Sequence, residues 1–392
     1  MNFFKQRCYL DYASSTPVDA RMIASFPRLS PAVLQANPSA LHKEGRLVKV
    51  ALENARQLVA ETLFARADEI IFTANATESD NIALQGAVTA LLKKNSEARI
   101  AIVTTDSEHA AVLETVKALT DQVHVIILPT DMGVIDPKQI EVPEDATAMI
   151  VSVMYVNNEI GTVQPIYDIA KRVRFLRKHH PDMTILLHVD ATQAPLHYVL
   201  NVQKMGVDMM TLGATKLYCP KGVGMLYIKR DTLMAPILHG GGQERGLRPG
   251  TEAVQLVHFF AQSLAYAQKN VVAYTENILS LQQYFEHLIQ KEIPSAIITA
   301  SSQERTPHIS HIAVPNFESE LLVLELDARG IAVSSKSACK NEDANESELL
   351  ERIYGKGWGA IRVSFGRMTT KSDLKKAVEA LKKVIAKYNH IG

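Results

Sequence analysis

Apolar residues recur along this chain in two alternating patterns. Between residues 43 and 63, Leu47, Val48, Ala51, Leu52, Ala55, Leu58 and Val59 fall three and four apart, which is one face of a helix. Short unbroken apolar runs follow at 69–72, 100–103, 123–128, 148–155, 185–189, 209–212 and 224–228, most of them separated by helix-length segments. Runs that do not alternate with polar residues suit strands buried on both faces. The pattern therefore predicts an α/β fold whose large domain is a mostly parallel seven-stranded sheet covered by helices. Several runs end in polar clusters, at 73–80, 157–159 and 190–193. Ligands in open α/β sheets sit beyond the carboxyl ends of the strands, so the candidate chemistry lies at that edge.

Beyond about residue 255 the texture changes. A long helical stretch over 256–291 precedes shorter elements, with strands expected at 331–334 and 361–364. Leu374, Ala377, Val378, Leu381 and Val384 share one face of a closing helix over 371–388. This part reads as a smaller α+β domain. The expected division is a large cofactor-binding domain over 16–255 and a small domain made of 1–15 and 256–392. No internal repeat, low-complexity tract or flexible linker is visible.

Composition narrows the function classes. The 392 residues exceed what one hydrophobic core usually serves. Lys+Arg and Asp+Glu both total 42, so the chain has no basic footprint for nucleic acid or an anionic membrane. A local site can still hold a small anion. No apolar stretch approaches the roughly 20 residues of a spanning helix. The first twelve residues lack the basic-then-apolar order of a signal peptide and read as folded chain. Cys8, Cys219 and Cys339 are odd in number and widely spaced, so neither a disulfide framework nor a zinc site follows. A reducing, cytoplasmic location is expected, with no metal.

Residue by residue, the candidate chemistry is ambiguous. Asp190 ends an apolar run and suits a metal ligand, a cap or the partner of a cation. Lys216, in Gly213-Ala214-Thr215-Lys216, occupies a place where a lysine is more often solvated surface. Its neighbourhood shifts the balance: Gly222 and Gly224 lie just beyond, and Asp190 precedes by one strand–helix–strand unit. A lysine that forms a Schiff base needs a desolvated pocket, and a pyridine-ring cofactor needs a carboxylate at its nitrogen. Ala76 and Thr77 open a helix after a strand, which suits a phosphate cradle, although Thr77 also suits a plain N-cap. His109 alone fits a core or surface histidine. Asn157-Asn158 before Glu159-Ile160-Gly161 is equally a turn signal.

Taken together, these segments resemble the cysteine desulfurases, pyridoxal-phosphate enzymes of the class V aminotransferase group. The resemblance rests on Tyr9-Leu10-Asp11-Tyr12, Thr16-Pro17, Asn37-Pro38-Ser39, His42, Ala76-Thr77-Glu78-Ser79-Asp80-Asn81, Glu108-His109 and Asn157-Asn158-Glu159-Ile160-Gly161. It continues through His188-Val189-Asp190-Ala191-Thr192-Gln193, Lys216, Pro220-Lys221-Gly222, the run from His239 to Gly246, Arg248, Gly250-Thr251, Ser337-Ala338-Cys339, Arg362 and Ser364. These run in the family's order over essentially the whole chain. The resemblance implies a fold-type I pyridoxal-phosphate transferase that takes sulfur from L-cysteine, leaving L-alanine and an enzyme-bound persulfide. It makes Lys216 the Schiff-base lysine, Asp190 the partner of the pyridine nitrogen and His109 the ring stacked on the cofactor. Asn158 and Gln193 become cofactor hydrogen-bonding side chains, Gln193 at the phenolic oxygen. Ala76 and Thr77 match the phosphate loop, and Arg362 matches the clamp on the substrate carboxylate, with Asn158 also near substrate. Thr251 matches a phosphate contact reaching in from a second subunit, which implies a homodimer. Cys339 matches the nucleophile that becomes a persulfide and passes its sulfur to an acceptor or scaffold protein, for iron–sulfur clusters, thio-cofactors or tRNA thiolation.

Departures from the family pattern fall around the lysine. The family usually has Ser, a small residue and His before it; here Gly213, Ala214 and Thr215 stand there, and the Thr215 hydroxyl could replace one phosphate contact. Asn75 stands where Gly is common, Lys336 where a small residue is common, and Cys219 at a usual Gly. Cys8 and Cys219 read as structural, and the polar run 340–348 reads as a loop carrying Cys339. Lys336 and Lys340 flank that thiol, but Glu342, Asp343 and Glu346 oppose them. The competing readings are a selenocysteine lyase or other class V enzyme, and a catalytically inactive binding homologue. Cys339 argues against a plain aminotransferase, and the joint presence of Lys216, Asp190, His109, Gln193 and Arg362 argues against an inactive one.

Overall fold

The structure, a computed structural model, describes residues 7–21, 35–335 and 348–389. In chain order the first half runs β1 (Cys8–Tyr9), α1 (Lys43–Leu63), β2 (Ile70–Thr73), α2 (Ala76–Lys94), β3 (Ile100–Thr105), α3 (Ala110–Ala118), β4 (Val123–Leu128), β5 (Ala148–Met154), α4 (Ile166–His179) and β6 (Thr184–Asp190). The second half runs β7 (Met209–Gly213), β8 (Gly224–Ile228), α5 (Val254–Lys269), α6 (Val271–Glu292), β9 (Ile297–Ile298), β10 (Ile309–Pro315), α7 (Ser319–Asp327), β11 (Ile331–Ala332), α8 (Glu348–Tyr354), β12 (Trp358–Ser364) and α9 (Lys371–Asn389).

The seven predicted strands form one sheet in the order β2-β8-β7-β6-β5-β3-β4, parallel except for β8, which is antiparallel to both neighbours. The reversal has a local cause. About ten residues join β7 to β8, too few for the crossover that a parallel pair needs. Alternate residues of each strand face opposite layers. Val103, Val151, Leu187 and Met210 pack with α1, α4 and α5, while Ile102, Ile150, Leu186 and Met209 pack with α2 and α3. Except at the edge strand β4, where Ile127 is half exposed, both faces are thus dry, which is why the strands read as apolar runs.

The predicted helix over 256–291 is two helices, α5 and α6, separated at Asn270. The Asn270 side chain donates back to the Tyr266 carbonyl at 2.7 Å, the local competition with helical bonding that asparagine offers. The buried face of α5, with Phe260 and Leu264 fully enclosed, joins the core around α1. A further core gathers Leu10, α6, β10, α7, β12 and α9 around a three-stranded antiparallel sheet of order β12-β10-β9. The start of the chain returns to this region, where β1 pairs in parallel with β11 and Ser364 donates its N–H to the Leu10 carbonyl. No helix among the described residues is long and apolar enough to cross a membrane.

Gly224, at the start of β8, passes under the residue that caps α2. A Cβ there would stand 2.7 Å from the Asn75 carbonyl carbon and 2.9 Å from its oxygen. Both are backbone atoms and cannot swing aside. Gly224→Ala is expected to cost about 1–3 kcal/mol of stability, read as a lowered denaturant midpoint. An unchanged midpoint would show that β8 and α2 separate freely.

Candidate active site

Loops leaving β2, β3, β5, β6 and β7 meet at the carboxyl edge of the sheet and enclose a cavity of about 270 Å³. Ala76, Thr77, His109, Asn158, Asp190, Gln193, Thr215 and Lys216 all line it, and Arg362 enters from β12. A larger groove of about 600 Å³, near Cys8, Arg329 and Lys383, holds none of the site residues expected from sequence. Thr251 lies outside the cavity, on the stretch before α5. Cys339 and its flanking lysines fall outside the described residues.

An anion cradle is built at the start of α2. The cap is Asn75, whose side chain accepts from the Glu78 N–H at 2.9 Å, so Thr77 is not the N-cap. Glu78 in turn accepts from the Ala74 N–H and from Arg248 Nε at 2.8 Å. Among the described residues nothing claims the first-turn N–H groups of Ala76 and Thr77, which leaves them for a ligand at the positive end of a 19-residue helix. Gly213 lies against this turn, where a Cβ would be 3.1 Å from Ala76 Cβ. The glycine that replaces the family's serine thus lets β7 close on the cradle. Thr215 lines the same cavity.

Asp190 closes β6 with one carboxylate oxygen accepting from the Thr192 N–H at 2.9 Å. Lys216 ends a single 3₁₀ turn after β7 and donates to the Ser14 carbonyl. His109 caps α3 through Nδ1, which accepts from the Ala111 N–H at 3.1 Å, so the neutral ring carries its proton on Nε2. Arg362 is 2% exposed and donates to the Asn158 carbonyl at 2.6 Å, to Asp11 at 2.9 Å and to Ser14 Oγ. Its Nε–H has no partner among the described residues. The set fits a phosphorylated pyridine aldehyde: backbone donors for a phosphate, a carboxylate, a lysine and an imidazole share one enclosed space, and the buried Thr192 hydroxyl beside them has no partner among the described residues.

Sequence reasoning missed several neighbours. Ser14 lines the cavity and reaches both Lys216 and Arg362, and no local motif announced it. Asp80 also lines it, fully buried 3.5 Å from His188 Nε2. The signal for Asp80 was present, since it lies four residues after Ala76 on the same helix face. Burial and the nearby Asp190 hold the Asp80 carboxyl well above the usual range. Burial pushes Glu108 up to about 8, opposed by its bonds from the Met154 N–H and Thr105 hydroxyl. Burial lowers His188 to about 4. Cys8 and Cys219 are buried, and burial pushes each thiol up to about 12.

Glu108 makes a prediction about pH. Its folded pKa lies above the value near 4.5 of an unfolded glutamate, so its contribution is fully present below pH 4.5 and is lost as pH rises toward about 8. Glu108→Gln keeps an acceptor for Met154 and Thr105 but cannot ionise. The variant should gain thermal stability relative to wild type at pH 8 and gain least at pH 5. Parallel melting curves of the two proteins across that range would contradict the assignment.

Comparison with known proteins agrees with this geometry. The aminotransferase class-V family model matches residues 8–377. A cysteine desulfurase IscS from Dictyoglomus turgidum is 34% identical over 394 residues, covering 99% of this chain and 96% of that protein. A mitosomal cysteine desulfurase from Encephalitozoon cuniculi is also 34% identical, covering 97% of this chain and 88% of that one. Among solved structures, a NifS-like protein superposes with a TM-score of 0.86 at 29% identity, covering 97% and 99% of the two chains. SspA in complex with cysteine superposes with a TM-score of 0.74 at 30% identity, covering 91% of this chain and 98% of that one. The class V aminotransferases and the cysteine desulfurases are pyridoxal-phosphate enzymes. The chain belongs to the class V aminotransferase family and, within it, to the cysteine desulfurases.

Proposed function

We propose that this protein binds pyridoxal phosphate at Lys216 and uses Cys339 to take sulfur from L-cysteine. The observation that carries the reading is the convergence of Lys216, Asp190, His109 and the Ala76–Thr77 amides on one cavity. The membership of the chain among cysteine desulfurases supports it. When bound, the cofactor supplies an electron sink for the substrate's α-carbon. Asp190 would keep the ring nitrogen protonated, His109 would cover the ring face, and Thr215 would add a hydroxyl at the phosphate. Arg362, with Asn158 beside it, would hold the substrate carboxylate, and the freed Lys216 amine would move protons at the α-carbon.

The sulfur step belongs to Cys339. Its thiolate attacks the substrate sulfur, the carbon–sulfur electrons pass to carbon, and protonation there releases L-alanine. The persulfide left on Cys339 then passes its terminal sulfur to an acceptor or scaffold protein. Burial keeps Cys8 and Cys219 protonated, which supports giving the role to Cys339. Thr251, outside its own cavity, suits a phosphate contact in the site of a second copy, so the working unit is a homodimer. We further read a large domain over 16–255 and a small domain from 1–15 and 256–392, in a cytoplasmic protein whose buried thiols suit a reducing compartment.

Cys339→Ser and Cys219→Ser separate the thiols. With L-cysteine and a reductant, Cys339→Ser should keep the yellow cofactor absorbance while sulfide and alanine release fall by at least about 100-fold. Cys219→Ser should stay within about twofold of wild type, because a buried, protonated thiol is inert. Normal turnover by Cys339→Ser, with loss in Cys219→Ser, would reverse the assignment.

A further inference from the structure

We infer that His308 is a positioning residue that fixes the side-chain amide of Gln193 with a donor turned to the cofactor. The inference rests on the pyridoxal-phosphate reading above and deepens it. Gln193 lines the cavity three residues after Asp190. Its Nε2 donates to the Ala13 carbonyl at 2.9 Å, and a carbonyl only accepts, so the atom at Ala13 must be the nitrogen. Its Oε1 then faces His308 Nε2 at 3.2 Å, which must be the N–H of that ring. The other ring nitrogen, Nδ1, is the acceptor and takes the Thr306 hydroxyl at 2.7 Å.

Each link fixes the next. If the Gln193 amide flipped, its oxygen would meet the Ala13 oxygen and its N–H would meet the His308 N–H. If the His308 ring flipped, carbon atoms would face both partners. The ring is held against that by stacking on His197, with centroids 4.7 Å apart and planes 13° apart, and by Phe365 donating its N–H to the His308 carbonyl. His308 is buried, and the charged or titratable groups around it are His197, Arg362 and Lys216, all of which disfavour a proton on it. It therefore stays a neutral ring with one donor and one acceptor. One N–H of Gln193 is committed to Ala13 and the other is left for the cavity. A donor is the group that an anionic ring oxygen on the cofactor requires. A merely structural histidine would also pack and hydrogen-bond here, but it would not change the electronics of a bound cofactor.

The test uses the full chain loaded with pyridoxal phosphate, reading the pH midpoint of its visible absorbance alongside the thermal midpoint. His308→Ala should displace the absorbance midpoint by roughly 0.5–1 pH unit, the size of one neutral hydrogen bond. His308→Phe, which keeps the ring volume and the stack on His197, should give the same displacement and carries the test if the alanine variant does not fold. His308→Gln, whose amide N–H can stand in for Nε2–H, should restore most of the wild-type midpoint. In a Gln193→Leu background, His308→Phe should add no further displacement. Variants that melt earlier but keep the wild-type absorbance midpoint would overturn the inference and leave the cofactor reading standing. So would an equal displacement in the Gln193→Leu background. A wild-type protein that takes up no pyridoxal phosphate would overturn the cofactor reading and this inference with it.

Discussion

Thr16 donates both its backbone N–H and its hydroxyl to the Thr215 carbonyl, and its hydroxyl accepts the Tyr218 N–H at 2.7 Å. These bonds brace the short return between β7 and β8, the stretch that throws Lys216 across the strand ends. The same N-terminal segment serves the rest of the cavity. Asp11 pairs with Arg362, Ala13 accepts from Gln193, and Ser14 meets both Lys216 and Arg362. A segment of six residues thus sets three side chains, Arg362, Gln193 and Lys216, that come from distant parts of the sequence. It is itself anchored where Ala13 N–H donates to Ser364 Oγ at 2.9 Å.

The electrostatics follow from this enclosure. Arg362 is almost fully buried, and removing one partner of such a pair typically costs 3–5 kcal/mol because the other charge is stranded. Asp11 therefore matters as much for keeping Arg362 in place as for any contact with a ligand. Beneath the cavity, burial favours the protonated forms of Asp80 and Glu108 and the neutral form of His188. Their titration, unlike that of surface groups, is coupled to folding.

The sheet was legible because its strands, apart from the edge strand β4, are dry on both faces and appear as apolar runs. β10 was not, because Ser310 and His311 interrupt the pattern; both are buried, satisfied by Glu286 and Thr299 at 2.6 and 2.8 Å. The break at Asn270 was hidden for a similar reason, since apolar spacing continues on either side. No single site residue was decisive alone. Lys216, Asp190, His109 and Arg362 became readable as an ordered series, and the structure brings those four into one cavity. His308 was beyond reach, since 115 positions separate it from Gln193 and only the folded chain brings the two side chains together. The alternative of Thr77 as the cap of α2 falls to Asn75, two positions earlier, because both are good capping types and only geometry distinguishes them.

On the proposed function, the cavity holds a cofactor on Lys216. Reducing the pyridoxal-phosphate-loaded wild type with borohydride fixes any lysine-bound cofactor, and peptide mapping by mass spectrometry then locates it. One modified lysine is expected, Lys216, with Lys221 and the rest unlabelled. Label on another lysine, or no label on a protein that is visibly loaded, would contradict it.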